Sequence, residues 1–133
     1  MYSVLPEGET LHVHVLSFGF KYGVPIEADV VMDVRFLSNP FFDLRLRDLD
    51  GTDQSVISFV LEQEQTRLFL EKFTDLIDYL LPRYREEGKS YLTLAIGCTG
   101  GRHRSVVIVE QLKARLIERR YSTTVEHRDI EMD

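Results

Sequence analysis

One stretch, Tyr91-Leu-Thr-Leu-Ala-Ile-Gly-Cys-Thr-Gly-Gly-Arg-His-Arg-Ser-Val-Val-Ile-Val-Glu110, constrains the fold more than any other. Strand-like character ends at Gly97, a glycine-bearing turn follows, and an amphipathic helical pattern runs on from about Arg102 or His103. A strand, a Gly-rich turn and a helix start together expose backbone N–H groups at the positive end of a helix dipole, where anions bind. Arg102, His103 and Arg104 crowd the first turn, and no Asp or Glu occurs between Glu87 and Glu110. Cations at a helix N-terminus oppose the dipole and cost stability; an anion in the turn offsets that cost. Cys98 to Ser105 is therefore expected to be a phosphate-type anion site, with Thr99, Gly100 and Gly101 forming the turn.

At 133 residues the chain suits one domain with one continuous core. Hydrophobic content of 44% and charged content of 29% are ordinary for a soluble globular protein. A formal charge of −6 argues against generic binding to nucleic acid or acidic membrane, though it allows a local basic site. The single cysteine, Cys98, cannot form an internal disulfide, and it lies in the motif, which favours a reducing, cytoplasmic setting. No apolar run approaches the roughly 20 residues that span a bilayer. The first residues are acidic and poor in hydrophobes, unlike a signal peptide.

Residues 1–9 read as a flexible lead-in, with Pro6 and Gly8 as breakers. Leu11 to Phe18 alternates as a first strand and leads into a loop, Ser17-Phe-Gly-Phe-Lys-Tyr-Gly-Val-Pro25, that holds Lys21. Ala28 to Phe36 reads as a second strand, placing Asp33 and Arg35 on one face near its C-terminal end. Leu37 to Gly51 reads as a long loop with room for one helical turn, and loops of that length are usually functional or mobile. Phe41 and Phe42 are expected to anchor it in the core; an exposed pair would instead dock a partner. A short helix capped by Thr52 or Asp53 carries Val56, Phe59 and Val60. A longer one, Glu62 to Arg85, buries Phe69, Phe73, Leu76, Ile77 and Leu80, with Pro82 and Gly88 as stop signals. Tyr91 to Gly97 is the third strand, and helix Arg104 to Arg120 buries Val106, Val109, Leu112 and Leu116 or Ile117. Thr123 to Arg128 makes a final strand, and the acidic end from Asp129 is expected to fray.

Strands alternating with helices predict an α/β fold, a three-layer-like sandwich with a small, mainly parallel sheet of about four strands. The domain is expected to cover 10–129, with 130–133 a frayed tail. Ligands of such sheets sit beyond the strand C-termini at a switch point. Ser17 to Gly23, Asp33 to Asn39 and Cys98 to Ser105 converge there in this arrangement.

Cys98-Thr-Gly-Gly-Arg-His-Arg104-Ser105 has the Cys, five residues, Arg, Ser spacing of cysteine-dependent phosphatases. There the loop wraps a phosphate in N–H groups, the cysteine faces phosphorus and the arginine clamps two oxygens. The dipole and two arginines would favour a Cys98 thiolate; a small, inert residue is the competing reading. Gly97 replaces the histidine that usually precedes the nucleophile, the double glycine is unusual, and Asp43, Asp48 and Asp50 are the candidate acids. Catalysis by Cys98 and Arg104 is thus the alternative, and non-catalytic binding the leading reading.

Ile96-Gly-Cys-Thr-Gly-Gly-Arg-His-Arg-Ser105, Ser17-Phe-Gly-Phe-Lys-Tyr-Gly23 with Pro25, and Asp33-Val-Arg-Phe-Leu37 with Asn39-Pro40 resemble, in order, the motifs of the RapZ family C-terminal domain. The likeness runs from about residue 10 to 129 and takes in Tyr91-Leu-Thr and Glu126-His-Arg128. These are bacterial RNase adapter proteins. The resemblance implies an α/β domain that binds glucosamine 6-phosphate and, in the full-length adapter, recognises a small RNA and presents it to an endoribonuclease. It also implies homo-oligomerisation. Carried over by motif position, ligand contacts would come from Lys21, Cys98, Thr99, Gly100, Gly101, His103 and Arg104, with Asp33 and Arg35 shaping the site. Phe41 stands where the family motif has a histidine, and the G-x-x-x-x-G-K-[ST] loop of the family's N-terminal domain does not occur in these residues. No cofactor and no metal is expected. Lys21, Arg35, Arg45, Arg47, Arg102, Arg104 and Arg128 would supply a basic patch for RNA, but a pocket for one small anion accounts for them more simply. His12 and His14 have ligand spacing on a strand but no further ligands near them in sequence, and are read as ordinary histidines.

Overall fold

The structure, a computed structural model, describes residues 11–132; the lead-in expected over residues 1–9 lies outside the described residues. Four strands, β1 (His12–Gly19), β2 (Val30–Asp33), β3 (Tyr91–Cys98) and β4 (Ser122–His127), form one sheet in the order β2-β3-β1-β4. Every pairing is parallel. Helices α1 (Gln54–Leu61), α2 (Glu64–Glu86) and α3 (Arg104–Glu118) complete the α/β fold.

Alternation along β1 and β3 gives the sheet two unlike faces. Val13, Val15, Leu92, Leu94 and Ile96 meet Phe73, Ile77 and Leu81 of α2 and Ile108, Val109, Leu112 and Leu116 of α3 in the main core. Leu16, Phe18 and Ala95 point the other way and are covered by Phe20 and Ala28 of the β1–β2 connection. Helix α1 packs through Val56 and Val60 on Val107 of α3. His12 and His14, on the face away from the main core, hydrogen-bond Ser122, Thr124 and Glu126 of β4.

Several element ends differ from the expectation for identifiable reasons. The second strand covers only Val30–Asp33 rather than Ala28 to Phe36. Its last ladder position, Asp33, lies opposite Gly97, just before β3 ends. Asp33 Oδ1 then accepts the Arg35 amide at 2.8 Å, and Leu37 N–H turns back to the Val34 carbonyl. Helix α2 runs through Pro82 to Glu86 and stops at Gly88 (φ 106°), where Lys89 N–H reaches the Tyr84 carbonyl and Gly88 N–H the Arg85 carbonyl. Its buried face is Thr66, Phe73, Ile77 and Leu81, whereas Leu76 is 49% exposed. Leu116, not Ile117, is the buried member of its pair on α3.

The frayed end expected from Asp129 is also corrected. Asp129 is buried, and its carboxylate accepts the Gly19 amide at 2.8 Å and the Arg128 guanidinium. The Ile130 carbonyl accepts Arg102 Nε–H. The chain end thus braces the turn after β3.

Because Leu81 fills the α2–sheet seam, Leu81→Ala is expected to cost about 2–5 kcal/mol in urea denaturation. Leu76→Ala should stay within about 0.5 kcal/mol.

Candidate functional site

The C-terminal ends of β1, β2 and β3 open on one cavity of about 1090 Å³. Its lining comes from each of the three strand ends: Lys21 after β1, Arg35, Leu37 and Asn39 after β2, and Cys98, Thr99, Gly100, Arg102, His103 and Arg104 after β3. The loop before α1 closes it with Phe41, Phe42, Arg47 and Asp48.

Close backbone contact shapes the turn. Gly101 has φ 80°, and a Cβ there would lie 2.6 Å from the Gly19 amide nitrogen and 2.8 Å from the Phe18 carbonyl carbon. Only glycine fits where the turn crosses β1. Gly100 faces open space. Lys21 N–H donates to the Thr99 carbonyl at 3.2 Å, fastening the β1 loop to the same turn. The first α3 bond is Val107 N–H to the His103 carbonyl, so the amides of Arg104, Ser105 and Val106 have no acceptor inside the helix.

Arg104 is 4% exposed. Its Nη1 donates to the Arg35 carbonyl at 2.8 Å and the Leu37 carbonyl at 3.0 Å, and Nη2 reaches Thr99 Oγ1 at 3.4 Å. Burial pulls its pKa below the usual guanidinium value, with Cys98 and Asp33 acting in the opposite direction. His103 is 7% exposed and lies against the backbone carbonyls of Leu49, Arg47 and Leu46. Burial is the main cause that lowers its pKa, and Arg102 adds to it. Cys98 Sγ is 3.2 Å from Ser105 Oγ. Asp33 holds Arg35 through both carboxylate oxygens, and the Arg35 guanidinium lies over the Phe20 ring. That ion pair, ahead of the weaker pull of Arg104, lowers the Asp33 pKa.

Three buried nitrogens of cavity-lining residues, Arg47 Nε, His103 Nε2 and Arg104 Nε, lack a hydrogen-bond partner. Leaving buried polar groups unpaired is costly, and the two arginine Nε–H groups among them can donate to an acceptor placed in the cavity. A cluster of three or more His, Cys, Asp or Glu placed for a metal ion does not occur among the described residues.

Of the residues expected from sequence, Lys21, Arg35, Cys98, Thr99, Gly100, Arg102, His103 and Arg104 line the cavity. Asp33, Gly101 and Ser105 stand behind it, holding Arg35, the turn and Cys98 respectively. Arg45, paired with Asp43, and Arg128, paired with Asp129, are not among the residues that line the cavity. Phe41 and Phe42 are not core anchors; they are 45% and 79% exposed. Leu37, Asn39, Phe41, Phe42, Arg47 and Asp48 complete the lining, and the unusual loop length was the sequence signal for most of them.

A profile described as the RapZ C-terminal domain matches residues 11–131. The chain belongs to that family. It is 50% identical over 123 residues to a nucleotide-binding protein of Geotalea uraniireducens, covering 92% of this chain and 43% of that protein. It is 55% identical over 119 residues to a nucleotide-binding protein of Geobacter metallireducens, covering 90% and 42% of the two chains. A nucleotide-binding protein of Bacillus licheniformis is 55% identical over 124 residues, with 93% and 42% covered. This RapZ-type chain spans less than half the length of those relatives. No helix among its described residues is long and apolar enough to cross a membrane.

Two outcomes follow. Gly101→Ala should lose about 2–3 kcal/mol in chemical denaturation, while Gly100→Ala should leave stability nearly unchanged. Because the folded His103 pKa is lowered, the unfolded chain binds the extra proton as pH falls below the ordinary value of 6.5. That contribution is fully present above 6.5 and lost as pH falls through the folded value. The lowered Asp29, Asp33 and Asp78 carboxyls act only below about their own ordinary value of 3.8. Thermal melts should therefore show a decline as pH falls below 6.5 that His103→Gln flattens; parallel curves for the two proteins would contradict it.

Proposed function

We propose that this chain is a regulatory binding domain that takes a phosphorylated small molecule, its phosphate lying in the Cys98–Ser105 turn. The observation that carries this reading is the pair of unpaired buried Nε–H donors on Arg104 and Arg47 in a cavity beside a helix start whose first amides have no acceptor inside the helix. In a protein of net charge −6, such a concentration of donors matches one compact anion better than a polyanion. The family resemblance supplies a hexosamine phosphate as the first compound to try; the residues themselves specify its phosphate. Occupancy would be reported to a protein or small-RNA partner, with a homo-oligomer as the assembly and the cytoplasm as the setting.

Arg104 serves either reading, because Nη1 donates to two backbone carbonyls while Nε has no partner. Binding is favoured over phosphatase chemistry by the departures from the phosphatase pattern, Gly97 before Cys98 and the double glycine within the loop. Of the three candidate acids, Asp48 lines the cavity; Asp43 is paired with Arg45, and Asp50 accepts from Thr52.

Calorimetry with glucosamine 6-phosphate and inorganic phosphate should show saturable binding that weakens at least about tenfold in Arg47→Gln and in Arg104→Lys. Each variant should retain the wild-type circular dichroism spectrum. Absence of binding by either compound would remove the phosphate site. Turnover of an aryl phosphate that vanishes in Cys98→Ser would replace the binding reading with the catalytic one. An RNA role predicts a gel shift that fades steeply with salt.

A further inference from the structure

We propose that Cys98 is an oxidation site whose modified sulfur shuts the anion pocket: a small peroxide turns its thiol into a sulfenic and then a sulfinic acid, and the charged product takes the place of the phosphate. The inference rests on the phosphate-site reading above and adds how occupancy of that site is regulated. Cys98 is the last residue of β3 and is only 2% exposed, yet it forms part of the cavity wall. A reagent meets it only through that cavity, so the oxidant has to be a small one such as hydrogen peroxide. The 133 residues hold no second cysteine to close a disulfide. The sulfur is therefore left with the oxygen-adding branch of thiol chemistry.

The groups around the sulfur suit an oxyanion. Arg104 lines the same cavity, is 4% exposed, and keeps a buried Nε–H without a partner. Burial lowers its pKa, and Cys98 is the first of the groups that act against that, which puts the sulfur close to the guanidinium. Ser105 Oγ lies 3.2 Å from Sγ, and the amides of Arg104, Ser105 and Val106 have no acceptor inside α3. In the first step the sulfur attacks one peroxide oxygen. An S–O bond forms, the O–O bond breaks, and the thiol proton leaves with the other oxygen as water. Sulfur gives up a pair of electrons and the peroxide takes them. A second peroxide repeats the exchange on the sulfenic acid, giving the sulfinic acid and another water. Its proton passes to solvent, leaving a negative charge shared by both oxygens on sulfur. That group brings phosphate-like acceptors into the turn on a covalent tether. The Arg104 Nε–H and the α3 amides then donate to it, and an incoming anion meets both a filled site and a like charge.

The test uses the full chain, with hydrogen peroxide as the oxidant and inorganic phosphate as the probe. Calorimetry on the reduced chain sets the starting affinity. After peroxide, peptide mass spectrometry should find added oxygen on the Cys98 peptide, counted apart from the peptides that carry methionine. Phosphate affinity should then fall about tenfold or more while the circular dichroism spectrum stays unchanged. Dithiothreitol should restore it as long as only a single oxygen has been added, and not afterwards. Cys98→Ser and Cys98→Ala, whatever their own affinities, should show no change on peroxide treatment. The inference is overturned if Cys98 takes up no oxygen, or if the oxidised chain binds phosphate as tightly as the reduced one. It is equally overturned if the spectrum collapses with the affinity, or if both variants lose affinity as the unsubstituted chain does. A reduced chain that binds no phosphate would instead remove the phosphate site itself, and this inference with it.

Discussion

The structure depends on a buried cation placed where the backbone field opposes it. Arg104 is the first residue of α3, at the positive end of the helix dipole, and it is almost wholly removed from water. Burying a charge is expensive unless hydrogen bonds or an opposite charge offset the cost. Two carbonyls after β2 supply the first kind of offset, and in doing so they tie the β2 exit to the start of α3. The nearby carboxylate, Asp33, is already engaged bidentately by Arg35. Among the described residues, Arg104 is thus hydrogen-bonded to two carbonyls and a hydroxyl and to no carboxylate.

The surrounding architecture holds that arrangement rigid. Gly19 and Gly101 allow the β1 exit and the β3 turn to cross at backbone contact. Asp129 then binds the Gly19 amide, Ile130 accepts from Arg102, and the Gly51 amide donates to the Arg102 carbonyl at 2.7 Å. Three parts of the chain that are distant in sequence thus brace the one turn between β3 and α3. Preorganised donors of this kind bind an anion without having to reorganise as it arrives.

Much of this was legible in the chain because the signals were local. The apolar run of β3, the glycines after it and the cations at the α3 start together specified the strand, the turn and the helix dipole. Convergence of the strand exits followed from parallel topology alone, and the cavity draws on all three. What sequence did not reveal depended on tertiary partners. Val34 alternates as though β2 continued, but the side chain of Asp33 captures the next amide and turns the chain. Asp129 looks like a terminal acid until the Gly19 amide is placed beside it. Phe41 and Phe42 read as core residues by composition; the stacking of Arg47 on Phe41 keeps that ring at the cavity wall instead.

A crystal structure of the chain grown with saturating phosphate tests the central claim most directly. The account predicts an ordered tetrahedral anion in the turn after Gly97, accepting from the backbone amides at the α3 start and from the Nε–H of Arg104 or Arg47. An empty turn under those conditions, with the Arg104 and Arg47 Nε–H groups satisfied by the protein's own carbonyls or carboxylates, would contradict it.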